Sequence, residues 1–210
     1  CLLSRGLGDV YKRQIMQLSK DGQKVVGSKI SIDCDCLGMS GGWTPAVHLF
    51  TQSGGKLKFR DDDQVFIPDT YPSDQISIGS CNGEFTLDEI LSGISKKLKD
   101  FLNIKKTEYE NLEIQSHFNK TKRNIWLLPS DKIIGKTKPF VDYQNDATAK
   151  DIKLALREGF RSIEHVKRYT TTGMGTDQGK LGNMHALGII SETSGSKMGE
   201  LGTTTFRPPY

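Results

Sequence analysis

The stretch QISIGSCNGEFTLDEILSGISKKL at 75–98 constrains the fold most, because its backbone must change geometry twice within a dozen residues. Ile76 and Ile78 alternate with polar neighbours and predict a short strand, and Gly79, Asn82 and Gly83 predict a turn. Leu87, Ile90, Leu91, Ile94 and Leu98 then recur at helical spacing. Thr86 and Glu89 stand where a capping box needs them, the hydroxyl accepting from the Glu89 N–H and the carboxylate reaching back. A strand, a glycine turn and a helix start together gather free N–H groups and the positive end of a helix dipole, which suit a pyrophosphate. The Gly79-x-x-x-Gly83 spacing is not the GxGxxG fingerprint, so a purely structural glycine turn is the alternative.

The preceding residues read as β structure. From Ile15, an Asp21-Gly22 turn separates two strands, the second running through Ile30, Ile32, Cys34, Cys36 and Met39 into Ser40, Gly41 and Gly42. Cys34 and Cys36 on one strand face would be too close in sequence to bridge comfortably. The four cysteines show neither CxxC spacing nor a disulfide framework, which fits a reducing cytoplasm. Residues 1–14, CLLSRGLGDVYKRQ, have no clean period; they read as a non-native terminal scar or as a native strand and turn. A short run follows at 56–69.

Residues 99–139 are lysine-rich and read as a linker with one strand at 125–128, closed by Pro129. From Phe140 the pattern turns helical. Thr148 caps a helix ending at Gly159, Ser162 caps a second through Tyr169, and a third is expected from about Gln178 to Ile190. His48 follows a strand in this reading, and none of His48, His117, His165 and His185 neighbours a nucleophile in a triad context.

Composition excludes several classes. No window approaches the ~18 consecutive apolar residues of a membrane-spanning helix, so no membrane partner is expected. The 29 basic and 25 acidic side chains are mixed along the chain, and the clusters at 96–99 and 120–123 lack stacking aromatics, which argues against nucleic acid.

Two segments carry a family resemblance: SGGWTPAVHLFTQSGGKLKF at 40–59 and FVDYQNDATAKDIKLALREGFRSIEHVKRYTTTGMGTDQGK at 140–180, joined by GTTTFRPPY at the end. They resemble the α subunits of heterotetrameric sarcosine oxidases, over about residues 15–210. The resemblance implies a fragment of a flavoenzyme that oxidises sarcosine with O2 and tetrahydrofolate to glycine, H2O2 and 5,10-methylenetetrahydrofolate. FAD would lie on the β subunit, FMN at the α/β interface and NAD on the α subunit; γ and δ subunits complete the assembly. The alternatives are an α subunit of a related amine or amino-acid dehydrogenase, and a non-catalytic module that docks a flavoprotein.

By that resemblance the fold is α/β with a small α module. Residues 15–98 are the closing part of a dinucleotide-binding domain of the FAD/NAD-linked reductase type. Residues 140–200 resemble the small helical domain of bacterioferritin-associated ferredoxin type, and 201–210 open a folate domain of aminomethyltransferase type. The isolated fragment would be inactive. The positions matching the small domain's four cysteines are Asp142, Gln144, Asp177 and Gly182, a donor set that cannot hold an Fe-S cluster and suits zinc poorly. No metal is expected. Gly79, Ser80, Gly83, Phe85 and Thr86 are the expected NAD contacts, and Ser40, Gly41, Gly42, Trp43 and Pro45 border the same cleft or a domain seam, Trp43 as a core anchor. Around the turn at 169–180, Thr171, Thr172, Gly175, Gln178 and Lys180 would reach FMN or its binding loop, or else cap helices and pack on a neighbouring subunit.

Overall fold

The computed structural model describes residues 2–3, 12–38, 41–72, 74–104, 124–129 and 138–204. It divides into two compact units: Cys1–Gly42 with Ile125–Gly195, and Trp43–Asn124 with Ser196–Tyr210. Each mixes helix and strand, as an α/β chain should, and every strand pair among the described residues is antiparallel.

The first unit begins with a three-stranded meander, β1 (Leu2–Leu3), β2 (Lys12–Leu18) and β3 (Val25–Asp33), in the order β1-β2-β3. The β2–β3 turn is built as Asp-Gly suggests. Asp21 accepts from the Ser19 hydroxyl and the Gln23 N–H, and Gly22 takes φ 68°. Lys12 faces Asp33 and Ile15 faces Ile30; a bulge between Ile15 and Gln17 interrupts the register, and Met16 there is buried. The strand ends at Asp33, earlier than the apolar alternation implies, so Cys34 and Cys36 lie beyond it in irregular chain; Met39 is outside the described residues.

The same unit holds a helical module: β6 (Phe140–Asp142) paired with β7 (Ala147–Thr148), then α3 (Ala149–Arg157), α4 (Ile163–Thr170) and α5 (Asn183–Ser194). Helix α3 packs on both α4 and α5. Ile152, Ala155, Val166, Ile189 and Ile190 form its core, each large aliphatic side chain contributing about 2 kcal/mol by leaving water. At the start of α3, Asp151 accepts from the Thr148 N–H (2.9 Å) and hydroxyl (2.7 Å). Ser162 begins α4 but its side chain makes no capping bond, a correction to the expected cap. The third helix starts at Asn183, five residues later than expected, because Gln178 (φ 54°) and Gly179 (φ 76°) are left-handed and cannot continue a helix. No strand forms at 125–128. The chain bends there instead, with Trp126 seated over Gly188 of α5 and edge-on to His185, ring centroids 6.0 Å apart.

In the second unit, α1 (His48–Gln52) precedes a hairpin of β4 (Lys56–Arg60) and β5 (Val65–Thr70), followed by a 3₁₀ turn (Gly79–Asn82), α2 (Leu87–Leu102) and α6 (Met198–Leu201). His48 therefore opens a helix rather than following a strand. The core gathers Val47, Phe50, Val65, Phe66, Ile67 and Met198. Gly55 lies against the Phe50 ring, where no side chain would fit. Ile76 and Ile78 are not in a strand. Ile78 has extended dihedrals but finds no partner strand among the described residues, and the chain passes straight into the 3₁₀ turn. Trp43, expected as a core anchor, is 78% exposed.

Candidate functional site

Two glycine turns, one in each unit, hold the residues expected to contact NAD and FMN; of the residues expected to border the cleft, Gly41, Gly42 and Trp43 are exposed, Pro45 is buried, and Ser40 lies outside the described residues. In the first, Gly79, Ser80, Gly83, Phe85 and Thr86 do come together between the 3₁₀ turn and α2. The capping box at the head of α2 forms. Glu89 N–H donates to Thr86 Oγ1 at 3.4 Å, and Glu89 Oε2 accepts from the N–H groups of Phe85 and Thr86, both at 3.3 Å.

Further donors of this turn are also taken within the chain. Gly83 N–H bonds the Ser80 carbonyl, and Gly79 N–H donates to Glu84 Oε2 at 3.0 Å. Glu84 Oε1 accepts from Asn82 Nδ2 at 3.1 Å and from the ammonium of Lys97, one helix face away on α2. On the far side, Arg60 of β4 donates to the Gly83 carbonyl at 2.7 Å and pairs with Asp63. Burial alone would push the Glu84 carboxyl up, but the hydrogen bonds from Lys97, Asn82 and Gly79 outweigh it and hold it below the usual carboxylate range.

A pyrophosphate does not fit this turn as it stands. The N–H groups of Gly79, Phe85 and Thr86 are engaged, and their bonding partners are two carboxylates. Two like unit charges about 5 Å apart repel by about 3 kcal/mol at an effective dielectric constant of about 20, which cancels the ~1.5 to 3 kcal/mol that a charge-assisted hydrogen bond returns. Ser80 is exposed at the surface and Thr86 is buried.

The second turn joins α4 to α5. Asp142, at the end of β6, is only 5% exposed and accepts four hydrogen bonds: from the N–H groups of Gly173 (2.7 Å), Gln144 (2.8 Å) and Asn145 (3.2 Å), and from Asn145 Nδ2 (3.3 Å). Burial would raise its carboxyl, and these donors, the Gly173 N–H foremost, bring it below the usual range instead. Gln144 Oε1 accepts from Thr176 Oγ1 (3.1 Å) and the Asp177 N–H (3.3 Å). Asp177 in turn accepts from the N–H groups of Gly179 and Leu181. Asp142, Gln144 and Asp177 thus draw residues 142–146 and 173–182 together through side-chain oxygen atoms bonded to backbone N–H groups.

Glycine is required where this loop closes. A Cβ at Gly175 would overlap Gln144 Oε1, and one at Gly173 or Gly179 would overlap the side chain of Asn183. Gly182 approaches the Val141 carbonyl so closely that its Cβ would lie 2.6 Å from the oxygen.

The expected FMN contacts divide. Thr172 is buried, with its hydroxyl 2.7 Å from that of Thr170. Because Thr170 Oγ1 donates to the Val166 carbonyl, the proton between the two hydroxyls comes from Thr172. Gln178 Nε2 is turned inward to the Gly175 carbonyl at 3.2 Å. Thr171 and Lys180 stay at the surface. Thr171 donates to the Thr170 carbonyl at 2.6 Å, and Arg168 nearby is paired with Glu164. Among the described residues, no three His, Cys, Asp or Glu side chains gather as a metal site would require, and no helix is long and apolar enough to cross a membrane.

Sequence reasoning missed Glu84, Lys97 and Arg60. Glu84 had a local signal, an acid following Asn82-Gly83 at a helix start. Lys97 and Arg60 come from 13 residues after and 24 before Glu84, beyond any local pattern.

Residues 136–210 match the family described as the sarcosine oxidase A3 domain. Sarcosine oxidase subunit alpha of Rhizobium meliloti (strain 1021) is 32% identical over 98% of this chain and 22% of its own length. The subunits alpha of Corynebacterium sp. strains P-1 and U-96 are 32% and 31% identical over 97% and 93% of the chain, and 21% of each relative. The chain thus spans about a fifth of the length of the curated relatives it matches. In fold it is like L-proline dehydrogenase from P. horikoshii, with a TM-score of 0.57 at 20% identity over 88% of this chain and 39% of that one. Over almost its whole length, the chain is a relative of the sarcosine oxidase α subunits, as the segments at 40–59 and 140–180 imply.

Proposed function

We propose that this chain is the central part of the α subunit of an amine-oxidising flavoenzyme complex, and that its own role is architectural. The complex would oxidise sarcosine with O2 and tetrahydrofolate, giving glycine, H2O2 and 5,10-methylenetetrahydrofolate, in the cytoplasm. FAD would sit on the β subunit and FMN at the α/β interface, with γ and δ subunits completing the assembly and folate held in a domain that follows residues 201–210. NAD would be an α-subunit ligand, held apart from the backbone donors of residues 79–86. The dinucleotide-binding and ferredoxin-like descriptions of the two parts of the chain belong to the same proposal.

One observation carries the architectural role. The polar groups that make each glycine turn look like a coenzyme site are bonded instead to the chain's own Glu84, Glu89, Asp142, Gln144 and Asp177. Groups so engaged hold the turn in shape and offer little to a ligand. At the second turn the donor chemistry left for a flavin phosphate is the Lys180 ammonium, exposed at the surface. Bound there, FMN would supply electron transfer, and Lys180 would orient its phosphate.

The full-length α subunit, purified with its companion subunits, tests this. Sarcosine should give peroxide in step with oxygen consumed, faster than other N-methyl amino acids or L-proline. A better substrate among those would place the protein with the related dehydrogenases, and no amine-dependent turnover would overturn the reading. Lys180→Ala should lower FMN content with Thr172→Ala near normal; unchanged FMN in Lys180→Ala leaves this loop as a docking surface.

A further inference from the structure

Three donors of different kinds converge on one side chain at residues 79–86. The Gly79 N–H, the Asn82 amide and the Lys97 ammonium all meet the carboxylate of Glu84, while Arg60 holds the Gly83 carbonyl behind it. A backbone N–H, a neutral amide and a cation arranged around one point are what a small oxyanion requires. The chain fills that point itself. Glu89 does the same for the next two N–H groups, so the run from Gly79 to Thr86 is bonded to carboxylates at both ends.

The family resemblance leads one to expect coenzyme phosphate at this turn, and the residues present do not fit it. We propose that Glu84 is a built-in anion that closes the turn at 79–86 to coenzyme phosphates. Any dinucleotide bound by the α subunit is then held without these donors. Glu84 acts as a positioning residue: it fixes the turn by ligating it, and Lys97 balances its charge from α2.

The proposal makes the cradle a latent anion site, so emptying it should reveal one. In the full-length α subunit within its complex, Glu84→Ala should speed amide exchange across 79–86 by about tenfold or more, the loss expected when a charged acceptor leaves its donors unpaired. Inorganic phosphate or acetate at tens of millimolar should restore protection in Glu84→Ala and leave the wild type unchanged. Adding Lys97→Met should abolish that rescue. Glu84→Gln keeps an acceptor for Gly79 but fills the space, so its exchange should rise less and respond to neither anion. NAD added to the wild-type complex should leave exchange at 79–86 as it was.

Protection of this segment by NAD in the wild type overturns the proposal, as does a folded Glu84→Ala protein that no anion rescues. If Glu84→Ala fails to assemble, the wild-type NAD measurement and the anion response of Glu84→Gln still decide it. None of these readouts uses amine oxidation, so they stand or fall apart from the assigned activity.

Discussion

Removing the Asp142 carboxylate should open the loop at 171–182 while the rest of the helical module keeps its core. Asp142 is almost fully buried and accepts three backbone N–H groups and one side-chain amide, the shortest bond being that from Gly173 on the far side of the loop. Hydrogen bonds to a charged acceptor are worth ~1.5 to 3 kcal/mol each, and a buried donor left without a partner costs a further ~1 to 3 kcal/mol. The bonds to Gln144 and Asn145 close a local turn that water can partly replace, because those residues are exposed. The Gly173 bond cannot be replaced so easily, since that N–H is buried. Asp142→Ala should therefore reduce the free energy of local opening at 171–182 by about 3 kcal/mol, or about a hundredfold in exchange rate. Asp142→Asn keeps one acceptor oxygen and loses the charge, so it should fall between Asp142→Ala and the wild type. Amide exchange followed by mass spectrometry on the intact subunit reads both, with a peptide from α3 as the internal control. Equal acceleration in α3 would mean that the whole module had loosened. Exchange at 171–182 within about threefold of the wild type would refute the keystone role altogether.

Other consequences follow from single contacts. Gly188→Ala would drive a methyl into the Trp126 ring, so it should cost about 1 to 3 kcal/mol and red-shift the Trp126 emission, best read in a Trp43→Phe background. Thr86→Ala removes the cap of α2, a helix with no fully buried residue to compensate, and should weaken its first turn by about 1 kcal/mol in amide exchange at 87–91. Acid should act on both turns together. The Glu84 and Asp142 carboxyls lie below their ordinary values, so their contribution is complete above the unfolded values near ~4 and disappears as the pH falls through the lower folded ones. Protection at 79–86 and 171–182 should be flat from about pH 5 to 8 and fall below about pH 4; loosening centred above pH 5 would contradict the assignment.

What could be read from the residues divides by the range of the interaction that decides each feature. The capping box of Thr86 and Glu89 and the Asp21-Gly22 turn were legible because both are settled within four residues. The starts of α3 and α4 were legible for the same reason, although Ser162 turned out not to use its hydroxyl. Apolar bursts misled twice. Ile76 with Ile78 and residues 125–128 carry strand-like composition, but a strand exists only where a second chain segment offers its edge, and among the described residues neither run has one. The bend at 125–128 answers instead to Gly188, more than sixty residues away, whose missing side chain admits Trp126. Trp43 shows the converse: its size argued for a core, and the structure leaves it in the open.

Asp142, Gln144 and Asp177, which the family resemblance would set against cluster cysteines, show how a loop can be closed by its own side chains. Four thiolates on a metal cluster would tie residues 142–144 to 177–182 from outside, through a third body. Here Asp142 and Gln144 reach across to the N–H groups of Gly173 and Asp177, and Asp177 turns back on Gly179 and Leu181, so the same two segments are tied directly. Direct bonding requires closer approach, and the glycines at 173, 175, 179 and 182 provide it. The turn at 79–86 follows the same rule in the other unit, with Glu84 and Glu89 standing where an outside anion could stand. Both turns are held by internal carboxylates, and an internal carboxylate does not depend on coenzyme supply. Loops held this way can keep one shape without a bound coenzyme, which is what the proposed architectural role requires.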